Sequence, residues 1–121
     1  MTTVYDPAHR RACAAAICAL GNRIGLYAGA NRVGTVYADT TWGSPTDITE
    51  GGVEKAQVTG STVTITIPGG TVSNGTVIDG YGVFSGSTLL RRSTLPATIT
   101  VNDGSQPLSI DVTPVFKYYG D

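Results

Sequence analysis

The chain has 121 residues, enough for one domain around one core. Charged residues make up 14% of it, its net charge is -1 and its pI is near 5.7, which excludes the basic stripe that electrostatic nucleic-acid binding needs. No apolar run approaches membrane-spanning length, so neither nucleic acid nor membrane is an expected partner.

Thr2-Thr3-Val4-Tyr5 reads as a short extended arm. Asp6 is placed to cap a helix with Pro7 at its first position, and an Ala-rich run carries that helix to Leu20. Cys13, Ala16, Ile17 and Leu20 recur at helical spacing and give a narrow apolar face of small side chains. Such a face can lie close to a sheet or a sister subunit. Gly21-Asn22 is the expected stop, because both residues tolerate the left-handed conformation of many helix ends. Around this helix Cys13 and Cys18 point about 140° apart, so they are expected to stay reduced. Free thiols suit a protein made in a cytosol, and nothing at the start reads as a signal peptide.

Beyond Arg23 the texture changes to short Thr/Val/Ile strands broken by glycine turns. Residues 24–28 and 32–37 are predicted strands, joined by a hairpin at Gly29-Ala30-Asn31. Residues 39–52 form the longest irregular stretch, with Trp42-Gly43-Ser44-Pro45 near its middle. Residues 53–59 read as strand. In 62–67, Val63, Ile65 and Ile67 alternate with Thr62, Thr64 and Thr66, predicting one core face and one threonine ladder. Asn74-Gly75 is a tight turn. Residues 77–84 form a strand whose inner glycines predict a bulge or the close approach of another backbone. Ser85-Gly86 turns into a strand at 88–93. Residues 97–101 and 108–112 are predicted to pair as a hairpin through Asn102-Asp103-Gly104-Ser105. Pro114 marks an edge or bend before an aromatic last strand at 115–119. Without βαβ alternation, this order predicts a mainly β fold: an antiparallel β-sandwich or jelly-roll-like barrel with a short N-terminal α-helix. Residues 1–22 would be an attachment segment of arm and helix, and residues 23–121 the β-sandwich domain.

No set of side chains converges on a chemistry. His9 and Cys13 offer two metal ligands where a structural zinc needs four. With a single histidine, a Ser-His-acid triad would have to recruit His9 from the helix. Glu50 and Glu54 flank Gly51-Gly52-Val53 and read as solvated loop carboxylates rather than a glycosidase pair. No catalytic, cofactor-binding or metal residue is therefore expected, and no cofactor. Trp42, near Tyr37 and Pro45, reads first as a plug closing one end of the sandwich. The alternative is an exposed loop in which Trp42 and Pro45 form an aromatic platform for a glycan. Arg91-Arg92 places one arginine on each face of a strand, and one of them is expected to pair with Asp111 or Asp79.

The order of these features resembles a group of small structural proteins of tailed-bacteriophage virions, the head decoration, head-fibre and tail-fibre-like proteins. The resemblance rests on the short N-terminal helix, the strand at Ile24-Gly25-Leu26-Tyr27, and Tyr37-Ala38 followed by Trp42-Gly43. It continues through Gly75-Thr76-Val77-Ile78 to Val83-Phe84-Ser85-Gly86-Ser87-Thr88-Leu89-Leu90. It ends on Thr100-Val101-Asn102-Asp103-Gly104 and Leu108-Ser109-Ile110-Asp111. Pro114 and the aromatic tail depart from the pattern. The resemblance implies a virion protein without catalysis, used in many copies.

The functional expectation is a capsid decoration (cement) protein on the virion surface, made in the host bacterial cytoplasm. It would bind the major capsid protein as a homo-oligomer, a symmetric trimer over capsid junctions. Thr2, Thr3, Val4 and Tyr5 would add as a strand to an edge of the shell, and Arg10 and Arg11 would meet its acidic groups. The chain has no fibrous repeat or coiled coil to reach outwards. The alternative is a tail-associated or receptor-binding module that recognises a host glycan through Trp42.

Overall fold

The computed structural model describes residues 4–119. Among them, helix α1 (Pro7–Cys18) precedes β1 (Arg23–Ala28), β2 (Asn31–Asp39), β3 (Thr46–Glu50), β4 (Val53–Thr59) and β5 (Val63–Ile67). Then come β6 (Val77–Ser85), β7 (Thr88–Thr100), β8 (Leu108–Val112) and β9 (Val115–Tyr118). The fold is mainly β, with antiparallel pairing and a short N-terminal helix, as its sequence predicts.

The strands form three sheets, ordered β2-β1-β6-β7, β3-β4-β9 and β5-β8. The four-stranded sheet and the β5–β8 pair enclose the main core, in which Ile24, Leu26, Ile65, Ile67, Ile78 and Val83 are all nearly inaccessible to solvent. Each such side chain contributes about 1.5–3 kcal/mol by leaving water. β5 behaves as its alternation dictates. Val63, Ile65 and Ile67 are buried, and the threonines bond across to β8 and its flank: Thr62 to Thr113 (2.6 Å), Thr64 to Asp111 (2.6 Å) and Thr66 to Ser109 (3.0 Å).

A second core lies under the helix, where Ala14 and Cys18 pack on Ala56 and Val58, with Phe116, Tyr118 and Trp42 at its margin. The helix therefore turns a different face inward from the expected one. Arg10, Ala14 and Cys18 are buried, Cys13 and Ile17 are half-buried, and Ala16 and Leu20 face solvent. Small side chains at 14 and 18 let the helix approach the β3-β4-β9 sheet closely, and that sheet selects the face. Asp6 and Pro7 begin the helix as expected, although the Asp6 carboxylate makes no capping bond. The stop works differently. Neither Gly21 nor Asn22 has positive φ. Gly21 is required by crowding, since a Cβ there would lie 2.4 Å from the Phe84 carbonyl oxygen.

Three further expectations are corrected. The supposedly irregular 39–52 stretch contains β3, which pairs with β4 through a two-residue turn at Gly51 (φ +55°) and Gly52 (φ +77°). That left-handed turn matches the twist of a hairpin. The strands predicted at 88–93 and 97–101 are both parts of β7, separated by a bulge: Gly80 faces Thr94 while Ile78 faces Ile99. Pro96 sits inside this bulge. The predicted 97–101/108–112 hairpin does not form. β7 stays on β6, and the chain crosses over to pair β8 with β5.

Candidate functional site

The most distinctive surface lies on the outer side of the four-stranded sheet, away from the main core. Register sets its layout. Gly25 faces Gly82, Tyr27 faces Gly80, Arg32 faces Tyr27, and Gly82 faces Arg92. Three glycines thus leave a floor without side chains at the middle of this face. Neighbouring side chains lie over it. A Cβ at Gly25 would be 3.0 Å from the Phe84 ring and 3.2 Å from the Arg32 guanidinium, and one at Gly82 would be 2.8 Å from the Tyr27 ring. Both features expected of the β6 glycines occur at Gly80, which adjoins the β6–β7 bulge and where a Cβ would lie 3.0 Å from the Ser93 backbone oxygen, whereas Gly82 is crowded by side chains.

Arginine guanidinium groups lie over the rings. Arg32 lies 4.3 Å above the Phe84 centroid and Arg92 5.2 Å above Tyr27, while the two rings run parallel within 6° at 6.4 Å. Phe84 is therefore 2% exposed and Tyr27 7% exposed, though both sit on the outer face. A guanidinium stacked by its plane keeps its edge N–H groups free for acceptors. Arg32 reaches only the Val36 carbonyl oxygen, at 3.4 Å, and its buried Nε has no partner. Arg23 repeats the pattern at the margin, 3.7 Å above Tyr37, but it is paired with Asp39 at 3.3 Å.

Among the described residues, no carboxylate lies within ion-pair distance of Arg32, Arg91 or Arg92. The expected partners are engaged elsewhere: Asp111 accepts from Thr64, and Asp79 accepts from the Gly29 N–H at 3.0 Å. Arg91, on the opposite face of β7 from Arg92, lies 4.5 Å above Phe116 and 5.6 Å above Trp42 and approaches the Cys18 sulfur at 3.9 Å. It joins the helix, the three-stranded sheet and the four-stranded sheet.

The residues expected to contact a shell are distributed otherwise. Thr2 and Thr3 lie outside the described residues. Val4 is 88% exposed, and Tyr5 is half-buried, stacked on His9 at 5.0 Å. Arg10 is buried. It donates to the Tyr5 carbonyl and pairs with Glu54 at 3.1 Å. Arg11 pairs with Asp47 at 2.5 Å. Both charges, expected to meet a partner, are engaged within the chain and fasten the helix to β3 and β4. Trp42 and Pro45 do not form an exposed loop. Both are half-buried, the indole N–H donates to the Gly21 carbonyl at 3.0 Å, and the ring borders both cores. Trp42 is the plug rather than the platform.

Two titrating groups report this packing. Burial pushes the Cys18 thiol up, opposed by the nearby Arg91 charge. Hydrogen bonds from Lys117 and then Lys55 hold the Glu50 carboxyl below its ordinary value. No group of three or more potential metal ligands clusters among the described residues, and no described helix is long and apolar enough to cross a membrane.

The chain matches no protein-family model, no curated protein and no solved structure. Sequence reasoning did not single out Arg32, Tyr27 or Phe84 as one site. The available signal was period two: Gly25 and Tyr27 in one strand and Gly80, Gly82 and Phe84 in another occupy one face each. Only strand register reveals that these faces are the same.

Proposed function

We propose that this chain is a non-enzymatic structural protein of a tailed-phage virion that decorates the assembled capsid. The outer face of the four-stranded sheet is its docking surface and the major capsid protein its partner. One observation carries this reading: Arg32 and Arg92 lie over Phe84 and Tyr27 with no carboxylate of the described residues within ion-pair distance. A face of guanidinium groups held over aromatic rings suits an acidic surface. Stacking orders the arginines before binding, so less rotamer entropy is lost on contact, and their free edges accept carboxylates in forked geometry.

Decoration then stabilises by linkage. A protein that binds the closed shell and not free subunits shifts the equilibrium toward the shell by mass action. Assembly as a symmetric trimer multiplies weak contacts through effective concentration. A glycan-binding tail module would need an exposed aromatic platform, and the half-buried Trp42, its N–H already bonded, does not favour that reading.

The test is the melting of purified shells lacking this protein, with and without added chain. Wild type raises the shell melting temperature, and an Arg32→Gln/Arg92→Gln double variant that keeps its own fold does not. An equal shift with both proteins would remove the arginine face from docking, and no shift with either would remove cementing.

A further inference from the structure

The four-stranded sheet has two edges, β2 and β7. β5 lies beside β2 and closes that side. On the other, β7 faces β9, an edge strand of the three-stranded sheet under the helix, and a groove of about 570 Å³ runs between them. Arg91, Arg92, Ser93 and Thr94 form one wall, and Thr113, Val115 and Lys117 contribute to the other.

The backbone along this groove is open. The N–H and C=O of Val115 both turn to the Tyr81 hydroxyl, at 3.1 and 3.3 Å, and so away from β4. Successive residues of an antiparallel strand alternate the side to which their backbone groups point. Lys117, two residues on, therefore directs its N–H and C=O into the groove, and alternate residues of β7 do the same from the facing wall. An unpaired edge of this kind is a template for another strand.

We infer that the groove between β7 and β9 accepts one extended segment of a partner protein, by strand addition, and that this segment carries carboxylates. Charge complementarity selects the occupant. Arg91 and Arg92 reach the groove without a carboxylate beside them among the described residues, whereas Lys117 is already held by Glu50 at 2.6 Å. The chain's own Thr2-Thr3-Val4-Tyr5 arm has no carboxylate and does not fit that requirement. Main-chain bonds would supply affinity and the arginines selectivity. Strand capture is read without a shell, and although Arg92 borders both surfaces, Arg91 belongs to the groove alone.

The experiment titrates the isotopically labelled full chain with three blocked peptides, followed by NMR and amide exchange. One is Thr-Glu-Val-Glu-Val-Glu-Thr, the second has Lys for each Glu, and the third is the acidic peptide with alternate backbone amides methylated. Saturable binding of the acidic peptide is expected, with slowed exchange at Thr94 and Lys117. The other two should bind at least about tenfold more weakly, the loss expected when charge-assisted or backbone bonds are removed. Gln57→Glu, on the groove wall, should weaken binding several-fold. Equal binding of acidic and basic peptides, equal binding of the methylated peptide, or no saturation at millimolar peptide would overturn the assignment. So would concentration-dependent protection of the same amides without peptide, which would identify a second copy as the occupant.

Discussion

The phenol of Tyr81 holds both backbone groups of Val115, donating to its carbonyl at 3.3 Å and accepting from its N–H at 3.1 Å. One side chain thus stands where a neighbouring strand would otherwise pair, and it ties β6 to β9 across the head of the groove. Tyr81→Phe keeps the ring in the core and leaves the Val115 amide short of a partner. It should lower stability by about 1–3 kcal/mol, read as an earlier urea midpoint with an unchanged slope. An unchanged midpoint would show that water replaces the phenol without loss.

Arg91 is a packing residue as much as a charge. Its guanidinium lies over Phe116 and Trp42 and beside the Cys18 sulfur. Arg91→Ala should cost about 1–2 kcal/mol through lost stacking and stem contacts. Trp42 is the chain's single tryptophan, so its fluorescence reports this site alone. The variant should shift emission to longer wavelength as water reaches the indole, and unshifted emission would place Arg91 outside the Trp42 environment.

Much of this architecture was legible in the chain. The β5 alternation, the turn at Gly29-Ala30 and the turn after Ser85 each carry local signals that tertiary structure obeys. The misreadings have non-local causes. β3 has one apolar residue, Ile48, in Thr46–Glu50, and its strand character comes from pairing with β4 rather than from its own composition. Asn102-Asp103-Gly104-Ser105 has hairpin chemistry, yet a Cβ at Gly104 would lie 2.1 Å from the Val72 carbonyl oxygen, so that glycine serves loop-against-loop packing. Arg10 and Arg11 looked free because Glu54 and Asp47 lie far along the chain. The arginine–aromatic face depends on three strand registers at once, which no single segment encodes.

Cys13 and Cys18 should differ in reactivity. Cys13 is half-buried, whereas Cys18 is 2% exposed and burial raises its pKa. A thiol reagent at mildly alkaline pH should modify Cys13 first and Cys18 only as the chain opens. The sign follows from linkage. A thiol raised in the folded state keeps its full contribution below the unfolded pKa and loses it as pH rises through the folded value. Cys18→Ala should flatten the alkaline decline of stability, and mass spectrometry after brief labelling would read the order of modification.

Glu50 works at the other end of the pH scale. Its carboxylate accepts from Lys117 at 2.6 Å and from Lys55 at 3.2 Å, which lowers its pKa. The contribution is present above the ordinary carboxylate range and is lost as pH falls through the lowered folded value. Glu50→Gln should therefore be slightly less stable than wild type at neutral pH and indistinguishable from it in strong acid. Because the group is exposed, added salt should shrink the neutral-pH difference. Denaturation midpoints at both pH values check this.

The most direct test of shell decoration is co-sedimentation of the purified chain with capsids lacking it, alongside capsid-free tails, with bound copies counted. Saturable binding to heads in a large symmetric copy number, absent from tails, is the predicted result. Binding to tails in few copies, with none on heads, would contradict it.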